Sequence, residues 1–366
     1  MAIRKRRSED GPAEELSVHD LIDGPTQVIS GPDLPRPPAR EPDGHDVSLE
    51  ATHDLSVYAT QDLSAHPEAT EPAGPERVAL LQLPAPGALY RRALLGALPG
   101  LGGRRGDRIP ARELTVHGVA VDRAHLADYD RVCGFRLADR LPGTYPHVLG
   151  FPLSLRLMTA RDFPVPLTGI VHVANRITVR RPVEAGETLD FVTYAENLRP
   201  HDRGRQLDVV LVASVAGEEV WRGVSTYLSR EKRPDGGGRR DRGDRPAAPA
   251  DSARWPLTPR VGTDYARVSG DHNPIHTSRL GARLFGFPRP IAHGMWSKAR
   301  CLAALENRLP EAYTVDVAFK LPVPLPSTVA FHAAPVADGW SFGLHAARDG
   351  RPHLAGTVRD EGSTVA

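Results

Sequence analysis

Between Ser269 and His276 the chain reads SGDHNPIH, and RPIAHGM follows from Arg289 to Met295. Asp271 can take or orient a water proton, and His276 can hold the same water and relay protons, because both side chains accept and return protons readily. Gly294, at the start of an apolar helical run, can offer an unpaired backbone N–H to a developing oxyanion. An acid, a base and an oxyanion donor are what addition or elimination next to a carbonyl requires. Ser269, Gly270, Asp271, Asn273 and Pro274 are also turn formers, so each alone would suit a plain connecting loop, and only the combination points to chemistry. Asp271, His272, His276 and His293 match no metal-ligand spacing, so no metal is expected, and His293 is read as orienting the loop or the helix start.

These residues need elements to hold them. A helix is expected from Gly294 to Leu309, stopped by Pro310, with Met295, Ala299, Leu302, Ala303 and Leu305 as its apolar surface; wrapped by strands, it can be buried almost all round. Period-two alternation marks strands at Val171–Val179 and Val315–Leu321. Leu207–Ser214 and Glu219–Tyr227 extend the first sheet, and Trp340–Arg348 and His353–Arg359 the second.

The two stretches echo each other. TDYARVSGD at Thr263 matches ADYDRVCGF at Ala127, LFGFP at Leu284 matches VLGFP at Val148, and VDVAFKLPVPLPSTVAF at Val315 mirrors VHVANRITVRRPVEAGETLDF at Val171. Each half therefore reads as a helix followed by antiparallel strands, an α+β order. Aligning Tyr129 with Tyr265 puts Phe135 where Asp271 stands and Arg140 where His276 stands, so the first copy cannot run the same reaction. Phe151–Met158 and Phe163–Leu167 are candidates for the wall of a tunnel or for ordinary core.

Four segments result. Residues 1–77 form a disordered acidic tail, 78–231 a first folded domain, 232–254 a flexible linker and 255–366 a second domain. The echo HDVS, HDLS and QDLS in the tail reads as drift in a biased segment, and the basic run at Arg4 to Arg7 as a solvated end. A net charge of +1 gives no global attraction to nucleic acid or anionic membrane, and the acids interrupting the linker's arginines argue against RNA binding. No apolar run is long enough to cross a membrane, and two cysteines at no ligand spacing fit a reducing, cytoplasmic setting.

Residues Tyr265 to Met295 resemble the signature of the MaoC-like hydratases and dehydratases, the (R)-specific enoyl-thioester hydratase family. Ser269-Gly270-Asp271-His272-Asn273-Pro274-Ile275-His276 fits it without a gap, Phe287 falls at the family's spacing, and Pro290-Ile291-Ala292-His293-Gly294-Met295 completes it. That resemblance implies a double hotdog, two repeats of a long helix wrapped by an antiparallel sheet, the first repeat being degenerate. It implies reversible hydration of a trans-2-enoyl thioester of coenzyme A or an acyl carrier protein, giving the (R)-3-hydroxyacyl thioester, with no cofactor. Carried over, Asp271 and His276 activate water, Asn273 is the accompanying polar residue with Ser269 and His293 in support, and Gly294 lines the oxyanion hole. A hotdog thioesterase and a non-catalytic acyl-thioester binding module are the competing expectations. A double hotdog can be complete within one chain, which leaves homodimerisation open.

Overall fold

The computed structural model describes residues 75–95, 107–167, 170–230 and 251–362. Most of the expected tail and linker lie outside the described residues. Their edges are corrected: Glu76 and Arg77 belong to a strand, β1 (Glu76–Leu80), and Ala253 and Arg254 to another, β7 (Ala253–Leu257). Strand β1 pairs in parallel with β2 (Arg112–Val119), and Arg77–Glu113 and Arg112–Glu76 ion pairs flank the pairing. Charged side chains suit such an exposed edge, which is why this stretch resembled tail.

The remaining strands are β3 (Ile170–Val179), β4 (Leu189–His201), β5 (Gly204–Val215), β6 (Glu218–Arg230), β8 (Tyr313–Phe319), β9 (Ser327–Val336), β10 (Gly339–Ala346) and β11 (Pro352–Asp360). All join one sheet in the order β1-β2-β4-β5-β6-β3-β8-β11-β10-β9-β7. Leaving β1 aside, the order is symmetric about the β3–β8 seam: β2, β4, β5, β6 and β3 mirror β7, β9, β10, β11 and β8. The two repeated strands thus meet antiparallel at the centre, with Ile177 opposite Val315 and Asn175 opposite Val317.

Each half wraps its own central helix. In the first half this is α3 (Tyr145–Met158), with Leu153 and Leu155 fully buried; in the second it is α7 (Gly294–Leu305), where Met295, Trp296, Lys298, Ala299, Cys301, Leu302 and Leu305 are all buried. Each of these buried leucines contributes about 1.5–3 kcal/mol by leaving water. The chain is a double hotdog of the α+β class. The helix expected to reach Leu309 ends at Leu305, and Glu306–Arg308 tighten into a 3-10 turn. Loss of apolar residues at ENR removes the reason to continue the buried face.

The tyrosine-bearing repeats are also helices, α2 (Arg123–Cys133) and α4 (Arg260–Ser269), each closed by a left-handed glycine, Gly134 or Gly270. They pack together, with the Tyr129 and Tyr265 rings 6.4 Å apart. The echo of LFGFP and VLGFP, in contrast, is not structural: VLGFP lies within α3, while LFGFP ends the short helix α6 (Arg279–Leu284) and turns at Gly286. In the first half only Phe135 to Thr144 separate the glycine cap from the central helix, whereas Asp271 to His293 fill that place in the second. The inserted stretch is where the polar residues cluster. Phe151 and Leu155, within the candidate tunnel stretch, pack with Leu89 of α1 (Pro86–Leu95), a helix between β1 and β2.

Candidate active site

The polar turn is built by successive local bonds. Gly270 ends α4 at φ 70°, a left-handed conformation favourable to glycine, and its N–H bonds the Ala266 carbonyl. Ser269 Oγ accepts the Asp271 N–H at 3.2 Å, and Asp271 Oδ1 accepts the Asn273 N–H at 3.2 Å. Asn273 Oδ1 then caps α5 (Pro274–Thr277) by accepting the Ile275 N–H, with Pro274 preset for the first helical position. Ser269 and Asn273 therefore shape the turn that presents Asp271.

His276 projects from α5 and is buried. Its Nδ1 lies 2.8 Å from the Ile291 carbonyl oxygen, which can only accept, so Nδ1 carries the proton and Nε2 of the neutral ring is an acceptor. His293 immediately precedes α7; its Nε2 donates to the Asp271 carbonyl at 3.0 Å, and its ring stacks on His276 at 3.7 Å. This bond ties the residue before α7 to the backbone of the turn. His293 Nδ1 is buried without a partner. His272 is exposed and takes no part in the cluster.

Close backbone approach fixes the frame. A Cβ on Gly262 of α4 would meet the His276 carbonyl oxygen at 2.0 Å, so only glycine lets α4 lie against α5. A Cβ on Gly294 would press on the Phe319 ring at 3.1 Å. The Gly294 N–H opens α7 and, as a first-turn donor, has no acceptor within the helix.

Burial pushes the Asp271 carboxyl up, but the two imidazoles, the Tyr90 hydroxyl and the Asn273 amide outweigh it and hold it below the usual carboxylate range. Burial pushes both imidazoles down, His293 to about 3. At neutral pH the site holds one carboxylate beside two neutral rings. Asp271, His276 and His293 each offer a donor atom within 4.8 Å of the others, a spacing that could hold a metal ion as well as a water.

One contact had no forewarning in the sequence. Tyr90 of α1 donates its hydroxyl to Asp271 Oδ1 across the fold. Nothing in ALYRRALL distinguishes this tyrosine from a packing residue. In the first half, Phe135 is buried and stacks on Tyr129, while Arg140 is exposed and pairs with Glu311. That turn carries an apolar plug where the second carries a carboxylate.

Residues 243–344 match the family model described as the MaoC like domain. The chain is 40% identical over 269 residues to 3-hydroxyacyl-thioester dehydratase X of Mycobacterium tuberculosis, covering 73% of this chain and 95% of that protein. The chain belongs to the MaoC-like family. A crystal structure of that mycobacterial protein, HtdX, superposes on this MaoC-like chain with a TM-score of 0.61 at 39% identity, covering 68% of this chain and 99% of that one. A MaoC-like dehydratase from Phytophthora capsici shares the fold at 19% identity, with a TM-score of 0.56 over 71% of this chain and 98% of its own.

Proposed function

We propose that this chain is a hydro-lyase that reversibly hydrates trans-2-enoyl thioesters to (R)-3-hydroxyacyl thioesters in fatty-acid metabolism. The observation that carries the reading is the pairing of a carboxylate, Asp271, with an imidazole whose free atom, His276 Nε2, is an acceptor. Two acceptors suit the two hydrogens of one water, leaving a lone pair on its oxygen for the substrate. Asp271 takes a proton as the water oxygen bonds C3; the C2–C3 π electrons shift toward the thioester, and the oxygen that gains charge accepts the Gly294 N–H. The proton then passes to C2 on the same face, restoring the carboxylate, and dehydration runs the same steps backwards. Loss of one such oxyanion donor typically lowers the rate by about 10²–10³.

The relatives' names support the substrate class: one is a 3-hydroxyacyl-thioester dehydratase, and a further mycobacterial relative, 26% identical over 193 residues, is an enoyl-CoA hydratase. Among the described residues no helix is long and apolar enough to cross a membrane, and Cys133 and Cys301 are free thiols; the cytoplasm is the compartment this reading assigns. The test is a panel of short- to long-chain trans-2-enoyl-CoAs with chiral analysis of the product. Formation of (R)-3-hydroxyacyl-CoA supports the reading, and release of free CoA without a hydroxyacyl product would turn it toward a thioesterase.

A further inference from the structure

Helix α1 lies before β2, outside the stretch that the β2–α2 and β7–α4 pairs share. It nevertheless packs on the turn that carries Asp271: Pro86 lies 3.0 Å from the place a Cβ on Gly270 would occupy. Leu89 anchors it by burial against Phe151 and Leu155 of α3, and Tyr90 follows directly.

We propose that Tyr90 is a positioning residue for Asp271, donating its hydroxyl to Oδ1 so that Oδ2 alone is left to receive the substrate water. Oδ1 already accepts the Asn273 N–H, so the phenol completes the two bonds that a carboxylate oxygen readily takes. Oδ2 stands 3.9 Å from His293 Nε2, whose proton is committed to the Asp271 carbonyl. One oxygen is thereby fixed by two donors and the other stays open. The bond is charge-assisted, the stronger class of hydrogen bond, and it restrains the carboxylate rotamer while favouring the ionised form. Burial and the neighbouring carboxylate push the Tyr90 phenol well up, so it remains a donor throughout the working range.

Among the described residues, the other titratable groups around Asp271 are uncharged at neutral pH. His147 of α3 and His172 of β3 are pushed down by burial, to about 4 and about 3, and are neutral. Tyr227 of β6 and Tyr265 of α4 are pushed up by burial and also carry no charge. His276 and His293 are bonded to carbonyls through their N–H groups.

The inference rests on Asp271 being the base, so two variants are compared with the intact chain. In Tyr90→Phe the ring packing is kept; kcat for enoyl-CoA hydration is expected to fall about ten- to a hundred-fold, the range for one hydrogen bond to a charged group, with KM little changed. The acid limb of the kcat–pH profile should move to higher pH, because losing the donor raises the Asp271 carboxyl. A residue that only packs α1 would move neither. If Asp271→Asn is inactive while Tyr90→Phe keeps the wild-type kcat and acid limb, the positioning role is overturned and the base assignment stands. Wild-type turnover in Asp271→Asn overturns both.

Discussion

At the scale of single residues, the catalytic proposal depends on which atoms are free rather than on which residue types are present. The SGDHNPIH stretch places a carboxylate and an imidazole on one turn, and the structure brings His293 within 4.8 Å of both. The tautomer could not be read from letters, because it is set by the Ile291 carbonyl, which reaches His276 only after the chain folds back. Tyr90 was illegible for the same reason: its partner lies far along the chain, and no local pattern links them. Asp130 shows what a carboxylate does without such partners. It is buried with Oδ1 unbonded, and burial, helped by Glu306, raises it to about 7. Between the unfolded value of about 3.9 and this folded value the native state binds the extra proton, so stability falls as pH rises through that window and the penalty is complete above it. Asp130→Asn should therefore be more stable than wild type at pH 8, by up to about 4 kcal/mol, and the gap should close near pH 4; urea denaturation at both pH values measures it.

At the scale of elements, the strands with clean alternation were legible, and β3 and β8 lie where Val171–Val179 and Val315–Leu321 placed them to within a residue or two. The strands β2, β4, β7 and β9 were missed because their signal is spread among charged and small residues, and α1 because it is a short helix standing outside the repeat. The contact between α4 and α5 was also hidden, since a glycine's role as a spacer shows only when its neighbour is known. Gly262→Ala should force the His276 backbone away from α4; overpacking of this kind costs about 1–3 kcal/mol, and hydration should fall with it. Thermal unfolding and kcat measured together check this, because a shift of His276 must appear in both.

At the scale of the whole molecule, the halves are joined as one sheet along β3 and β8, and α7 is tied to that seam by a buried lysine. Lys298, fully buried, donates to Asn175 Oδ1 at 2.6 Å and to the Asn175 and Val315 carbonyls at 3.1 and 3.2 Å. Three acceptors match the three hydrogens of an ammonium, although burial pulls its pKa well below the ordinary lysine range. Lys298→Met fills similar space but leaves these acceptors unpaired, and it should destabilise the whole chain by roughly 3 kcal/mol in a single cooperative transition rather than unfold one half. Guanidinium denaturation followed by two probes reads this out. The twofold order of the sheet was visible in the sequence repeats, while the seam was not, because period-two patterns give a strand's faces and not its neighbour.

The same twofold order makes the central claim sharp: both halves share the frame, and only the second presents a carboxylate and an imidazole to a helix start. Hydration of crotonyl-CoA and a longer trans-2-enoyl-CoA by Asp271→Asn and His276→Ala, each shown by circular dichroism to keep the wild-type fold, measures it directly. Both variants should lose hydration, with no residual turnover from the first half, where Phe135 and Arg140 stand in these places. Turnover near the wild-type rate in either folded variant would contradict the assignment.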